Sequence, residues 1–225
     1  DSVLISGMGG SSNAAKLLAG VYESELKIPV IPYNDYGLPA WVTNKTLIIS
    51  NSYSGNTEEN LSTIEAAQKI GCQIVGVATG GKIAQMITDG VIKGAIINPA
   101  QTNPTGFPKT GLGVSVGGLL GALVKIGILP DLRHELEIEM NSLNEIKKTW
   151  KVREMAEFLH GSSPVLFAAR PFIGALNAGR NAMCEISRNF TQFYDFPEVN
   201  HVLIEATQKP EFVKQRFKYV FFESE

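Results

Sequence analysis

The side chains best placed to do chemistry are the hydroxyls of Ser50-Asn51-Ser52-Tyr53-Ser54-Gly55-Asn56-Thr57. They follow an apolar run, Thr46-Leu47-Ile48-Ile49, and precede a helical pattern that opens with Glu58-Glu59. A strand, a hydroxyl-rich turn and a helix form the layout of an anion site. The first N–H groups of a helix have no partner inside it, and its dipole is positive there. Ser52, Ser54 and Thr57 add donors that rotate to suit an anion. Gly55 lets the backbone come close or take positive φ. The same residue types also suit a turn that only caps the next helix, so the pattern leaves both readings open. A second turn, Ser6-Gly7-Met8-Gly9-Gly10-Ser11-Ser12, follows the short strand Val3–Ile5. It is not the dinucleotide fingerprint, because its third glycine is misplaced and no acidic residue closes a clear next strand.

These turns need elements to hold them. A helix is expected from about Asn13 to Tyr22 after the first turn, and from Thr57 to Ile70 after the second. Ile28–Tyr33 reads as an edge strand, because Pro29 and Pro32 cannot donate to a ladder. Gln73–Ala78 and Gly94–Ile97 read as further strands, with a short helix to about Ile87 between them. The run Ile74-Val75-Gly76-Val77 suits a parallel strand covered on both faces. The repeated strand–helix units predict an open parallel α/β sheet. Asn98–Thr110 is a long loop with three prolines, and loops of that length are often functional. It leads into a buried helix, Gly111–Ile126, whose glycines suggest close backbone approach. From Asp131 to about His160 the pattern is polar and helical. Pro164–Ala169 then starts a second series, with a helix through Asn177–Phe190 and strands at Val202–Ile204 and Tyr219–Phe222. The expected organisation is an α/β half over 1–130, a helical connector over 131–160, and a second α/β half over 161–225.

Bulk properties narrow the class. The chain has 225 residues, 44% of them apolar, and a net charge of −2 from 20 basic and 22 acidic residues. That balance points to neither nucleic acid nor a membrane surface. Cys72 and Cys184 are isolated and read as buried thiols of a reducing, cytoplasmic compartment. Three histidines with no His/Cys cluster give no basis for a metal site. His160 sits at an expected helix C-terminus and His134 in a charged helix, and both read as structural. Tyr53 and Phe107 read as packing residues. The chain opens at Asp1-Ser2-Val3-Leu4-Ile5 inside a strand, without an initiator Met, and closes on strand-like Val220–Glu223. It is therefore expected to be part of a longer protein, with material missing at both ends.

Three stretches carry a resemblance to a known family. They are Gly7-Met8-Gly9-Gly10-Ser11, Ser52-Tyr53-Ser54-Gly55-Asn56-Thr57-Glu58-Glu59 and Pro197-Glu198-Val199-Asn200-His201. Together they resemble the SIS (sugar isomerase) family, in particular the bifunctional phosphoglucose/phosphomannose isomerases. The resemblance implies two SIS subdomains, each a flavodoxin-like parallel sheet between helices, with the second incomplete here. It implies interconversion of glucose 6-phosphate, and of mannose 6-phosphate, with fructose 6-phosphate through an enediol, without a cofactor. Gly10, Ser11, Ser52, Ser54 and Thr57 would hold the sugar phosphate, and Glu185 would carry the proton between C2 and C1. His201 would assist ring opening from the neighbouring subunit, which implies a homodimer. Lys109 would meet the developing charge. Cys184-Glu185-Ile186-Ser187-Arg188 stands where the family has Asn-Glu-Asn-x-Lys, and Pro108-Lys109 where it has Pro-Arg. Those departures motivate the alternatives: a non-catalytic sugar-phosphate sensor, or an SIS isomerase for another sugar phosphate.

Overall fold

The computed structural model describes residues 2–223. Asp1, read above as part of the opening strand, lies outside them. The first half alternates strands and helices: β1 (Ser2–Ser6), α1 (Gly9–Val21), β2 (Val30–Tyr33), β3 (Thr46–Ser52), α2 (Glu58–Lys69), β4 (Gln73–Ala78), α3 (Gly81–Thr88) and β5 (Lys93–Ile96). A loop ending in a 3₁₀ turn at Pro108–Thr110 leads to α4 (Leu112–Lys125). Helices α5 (Arg133–Ile146) and α6 (Val152–Leu159) follow. The remainder is β6 (Ser163–Ala168), α7 (Ile173–Glu185), β7 (Gln192–Asp195), α8 (Val199–Val202), α9 (Phe212–Arg216) and β8 (Phe217–Phe222).

The first five strands form one parallel sheet in the order β2-β1-β3-β4-β5. Strand side chains alternate between faces, and both faces are covered. Val3, Ile5, Ile49 and Val77 pack against Leu18 of α1 and Leu119 and Leu123 of α4. Leu4 and Ile48 pack against Ala67 of α2 on the other side, where Ala78 also meets Ile64 of α2 and Ile83 of α3. This is the flavodoxin-like order, in which the connections leave β1 and β3 in opposite directions. A crevice therefore opens at the carboxyl ends of those two strands. The second sheet is also parallel, in the order β7-β6-β8. It is packed by Leu176 of α7 on one face and by Val199 of α8 on the other.

The structure departs from the sequence pattern at several points. Helix α1 starts at Gly9, so the second glycine turn is already its first turn. Helix α7 ends at Glu185 rather than running to Phe190. Val202–Ile204 is not a strand: it spans the end of α8 and the start of a 3₁₀ helix. Val199 is buried there in the aromatic cluster around Phe167, so β-branched composition lost to tertiary packing. The strand β7 had no clear pattern in the sequence. Cys72 and Cys184 are partly buried rather than fully enclosed, and neither is in a disulfide. Of the helix glycines, Gly118 does meet a close neighbour, with Ile97 Cδ1 2.1 Å from an added Cβ. Gly113, Gly117 and Gly121 face open space.

Candidate functional site

The crevice at the switch point is occupied by the two turns singled out in the sequence. Gly55 has φ +69°, and a Cβ there would lie 1.8 Å from Gly80 O, so only glycine fits the turn. Inside the turn, Ser52 Oγ accepts from Gly55 N–H at 3.1 Å and is 2.8 Å from Thr57 Oγ1. Ser54 Oγ accepts from Asn56 N–H at 3.3 Å. Tyr53 N–H donates to Ser11 Oγ at 3.0 Å, which joins this turn to the start of α1. Beneath them, Asn60 is fully buried and donates to Ser50 Oγ and to Ser6 O and Oγ, tying α2 to the ends of β3 and β1. Thr57 precedes α2 without capping it through its side chain, so the first N–H groups of α2 stay available to an anion.

A cleft of about 230 Å³ lies in front of these turns. The first half contributes Gly10, Ser11, Asn13, Tyr53, Ser54, Thr57, Lys109 and Ser115; α7 contributes Asn181, Ala182 and Glu185. Glu185 is the carboxylate of this lining and Lys109 its cation. Both are exposed, and Lys109 Nζ donates to the backbone oxygen of Glu185 at 3.3 Å across the two halves. A cation at the carboxyl end of a helix also suits its dipole. Glu58 and Glu59 do not line the cleft. Instead they face Tyr36, whose phenol is held above its ordinary pKa mainly by the negative charge of Glu59.

Of the expected site residues, Gly10, Ser11, Ser54, Thr57, Lys109 and Glu185 meet in this one cleft. Ser52 is buried behind the turn and reaches the cleft only through Thr57. His201 lies on α8, exposed and away from this lining. Residues without a sequence signal also take part. Asn103 is 4% exposed and donates to Tyr53 Oη at 2.7 Å and Phe107 O at 2.8 Å, while its Oδ1 accepts from Thr110. It thereby pins the loop that carries Lys109 to the hydroxyl-rich turn. The ring of Tyr53 packs on Gly111, where a Cβ would come within 2.3 Å.

A family described as "Bacterial phospho-glucose isomerase C-terminal SIS domain" matches residues 150–225. A bifunctional phosphoglucose/phosphomannose isomerase of Caldicellulosiruptor bescii is 33% identical over 98% of this chain and 66% of its own length. The chain belongs to the SIS family. A second relative, the bifunctional phosphoglucose/phosphomannose isomerase of Aquifex aeolicus, is 27% identical over 97% of this chain and 65% of its own. The chain thus spans just under two thirds of the length of these relatives. Two solved structures share the fold. Thermotoga maritima glucosamine-6-phosphate deaminase has a TM-score of 0.72 at 18% identity, covering 100% of this chain and 76% of its own. Escherichia coli tagatose-6-phosphate ketose/aldose isomerase has a TM-score of 0.64 at 15% identity, covering 89% of this chain and 58% of its own.

Proposed function

We propose that this SIS protein interconverts glucose 6-phosphate, and mannose 6-phosphate, with fructose 6-phosphate through an enediol. The observation that carries the reading is the meeting of Glu185 and Lys109 in one cleft with the hydroxyl-rich turn. The names of the relatives above support the choice of substrates. Ser11, Ser54 and Thr57, with the N–H groups at the starts of α1 and α2, take the phosphate. Ser52 supports it through the Thr57 hydroxyl, and Gly10 leaves room for its approach. Glu185 removes the proton from C2 and returns it to C1, general acid–base help worth roughly 10²–10⁴ in rate. Lys109 turns from the Glu185 carbonyl to the enediolate oxygen and offsets its charge. The division 1–130, 131–160 and 161–225 belongs to the same proposal.

Ring opening is assigned to His201 of a second copy, since His201 does not line the cleft of its own chain. Helix α5 buries none of its residues and exposes Leu136, Met140 and Leu143 at four- and three-residue spacing on one side, which supports an apolar face covered by that copy. The test is proton NMR of fructose 6-phosphate with the protein in D2O. Glucose 6-phosphate carrying deuterium at C2 is the expected product, and mannose 6-phosphate should appear beside it. Glu185→Gln should keep phosphate-ester binding and lose turnover by roughly 10²–10⁴. Binding without product or exchange in the unaltered protein would leave a sensor.

A further inference from the structure

Asn13 and Asn181 in the wall of the cleft, with Asn177 behind them, form a chain of three amides whose direction is set from one end. Arg180 Nη2 donates to Asn177 Oδ1 at 3.0 Å. A guanidinium has no acceptor, so the oxygen of Asn177 must face Arg180 and its NH2 must face the other way. That NH2 donates to Asn13 Oδ1 at 2.6 Å. Asn13 therefore presents its oxygen to α7, and the same oxygen accepts Asn181 Nδ2 at 2.8 Å. Amide orientation is ordinarily an assignment from the network. Here an obligate donor at the head of the relay decides all three.

The relay leaves two groups over, Asn13 Nδ2 and Asn181 Oδ1, and both residues line the cleft. Among the described residues, the buried side-chain polar atoms without a partner are Asn60 Oδ1 and Arg180 Nε. The two leftover groups are therefore open to the cleft rather than sealed. Asn13 is 4% exposed and Asn177 3% exposed, so the donor sits on a rigid floor. Helices α1 and α7 are in close contact at this level: a Cβ on Gly174 would lie 2.5 Å from Lys16 O. Asn13 lies two residues beyond Ser11 on α1, and Asn181 one helical turn before Glu185 on α7. The space between the phosphate turn and Glu185 is where the carbon chain of a bound sugar phosphate has to run.

We propose that Asn13 and Asn181 form an oriented donor–acceptor pair that binds hydroxyl groups on the carbon chain of a polyhydroxylated phosphate ester, with Arg180 and Asn177 fixing their direction. A hydroxyl both donates and accepts, so neighbouring hydroxyls satisfy the two amide groups together. An apolar phosphate ester, or phosphate alone, leaves them unpaired. The proposal rests on the cleft being a sugar-phosphate site, but it does not require turnover.

The test compares fructose 6-phosphate with inorganic phosphate on the whole ¹⁵N-labelled protein. The Asn13 side-chain NH2 resonance should move with fructose 6-phosphate and stay in place with inorganic phosphate. Asn181→Ala is compatible with a helix interior and leaves Asn177 holding Asn13. It should weaken fructose 6-phosphate binding about three- to tenfold and leave inorganic phosphate affinity unchanged. An unaltered ratio of the two affinities, equal movement of the Asn13 resonance with both ligands, or no tighter binding of the sugar ester than of phosphate would each overturn the pair. If the sugar ester binds with these signatures but is not isomerised, the isomerase reading fails and the amide pair stands. Turnover with an unaltered affinity ratio gives the converse.

Discussion

Gly55→Ala is the sharpest perturbation of the hydroxyl-rich turn. Two costs add. At φ +69° an alanine takes a left-handed backbone, which disfavours an L residue by about 1–2 kcal/mol. Its Cβ would also fall 1.8 Å from Gly80 O and 2.9 Å from Gly80 C. Neither side can retreat freely. Ile83 N–H is bonded to Gly55 O at 3.0 Å, and Gly81 already faces Ser54 O, where a Cβ would lie 2.4 Å away. Such overpacking costs about 1–3 kcal/mol, so the total is about 2–5 kcal/mol. The control is Gly71→Ala, at φ +76° with nothing within 4 Å of an added Cβ. It bears only the backbone cost of about 1–2 kcal/mol. Urea unfolding, read from midpoints at constant slope, should separate the two variants by about 1–3 kcal/mol. Calorimetry with inorganic phosphate should show binding lost in Gly55→Ala and kept in Gly71→Ala. Equal stabilities with equal phosphate affinity would refute the claim that this turn is rigid and that it holds the anion.

Gly174→Ala should force α1 and α7 apart, since the new Cβ would meet Lys16 O and Leu17 Cα. Turnover should fall several-fold while inorganic phosphate affinity stays, as steady-state kinetics beside calorimetry would show; loss of both together would place the damage elsewhere. Tyr53→Phe removes the acceptor for Asn103 and keeps the ring on Gly111. With one neutral hydrogen bond lost, stability should fall by about 0.5–1.5 kcal/mol, and kcat should fall more than KM rises because the Lys109 loop loosens. The Lys16 ammonium is held below its ordinary pKa by burial and then by the Arg180 charge. In the window between the lowered folded pKa and the unfolded one, the unfolded chain binds more protons, so this residue makes stability rise with pH. Lys16→Met should accordingly stabilise the protein at neutral pH and lose that advantage as pH climbs into the lysine range. An advantage that grows with pH would reverse the sign of this reasoning.

Local pattern carried the first half of the fold. Apolar runs ending in glycine or serine turns, each followed by helical spacing, depend on neighbours in the chain, so β1, β3, β4 and the helices after them could be read directly. The hydroxyl-rich turn was legible for the same reason, since its chemistry lies in consecutive residues and in the helix end beside them. Val202–Ile204 was misread because valine, leucine and isoleucine fit either a strand or a buried helix, and only packing around Phe167 chose helix. Strand β7 was missed because Gln192-Phe193-Tyr194-Asp195 has no apolar run, and pairing with β6 makes it a strand.

What the sequence by itself determined is the parallel α/β class, the position of the hydroxyl-rich turn, and the helix end that follows it. Each follows from residue type and short spacing, which set backbone preference and helix-end polarity without reference to distant chain. Tertiary structure alone decided that Lys109 meets Glu185 across 76 residues. It also decided that Asn13 meets Asn177 and Asn181 across 164 and 168 residues. It showed too that Ser52 stands behind the turn and that His201 lies away from the cleft. The Lys109 and Asn13 contacts depend on where α7 docks against α1, whereas Ser52 is held by Gly55 and Thr57 of its own turn. Gly174, the two helix backbones and the amide relay set that docking jointly, and no local window of the chain contains it.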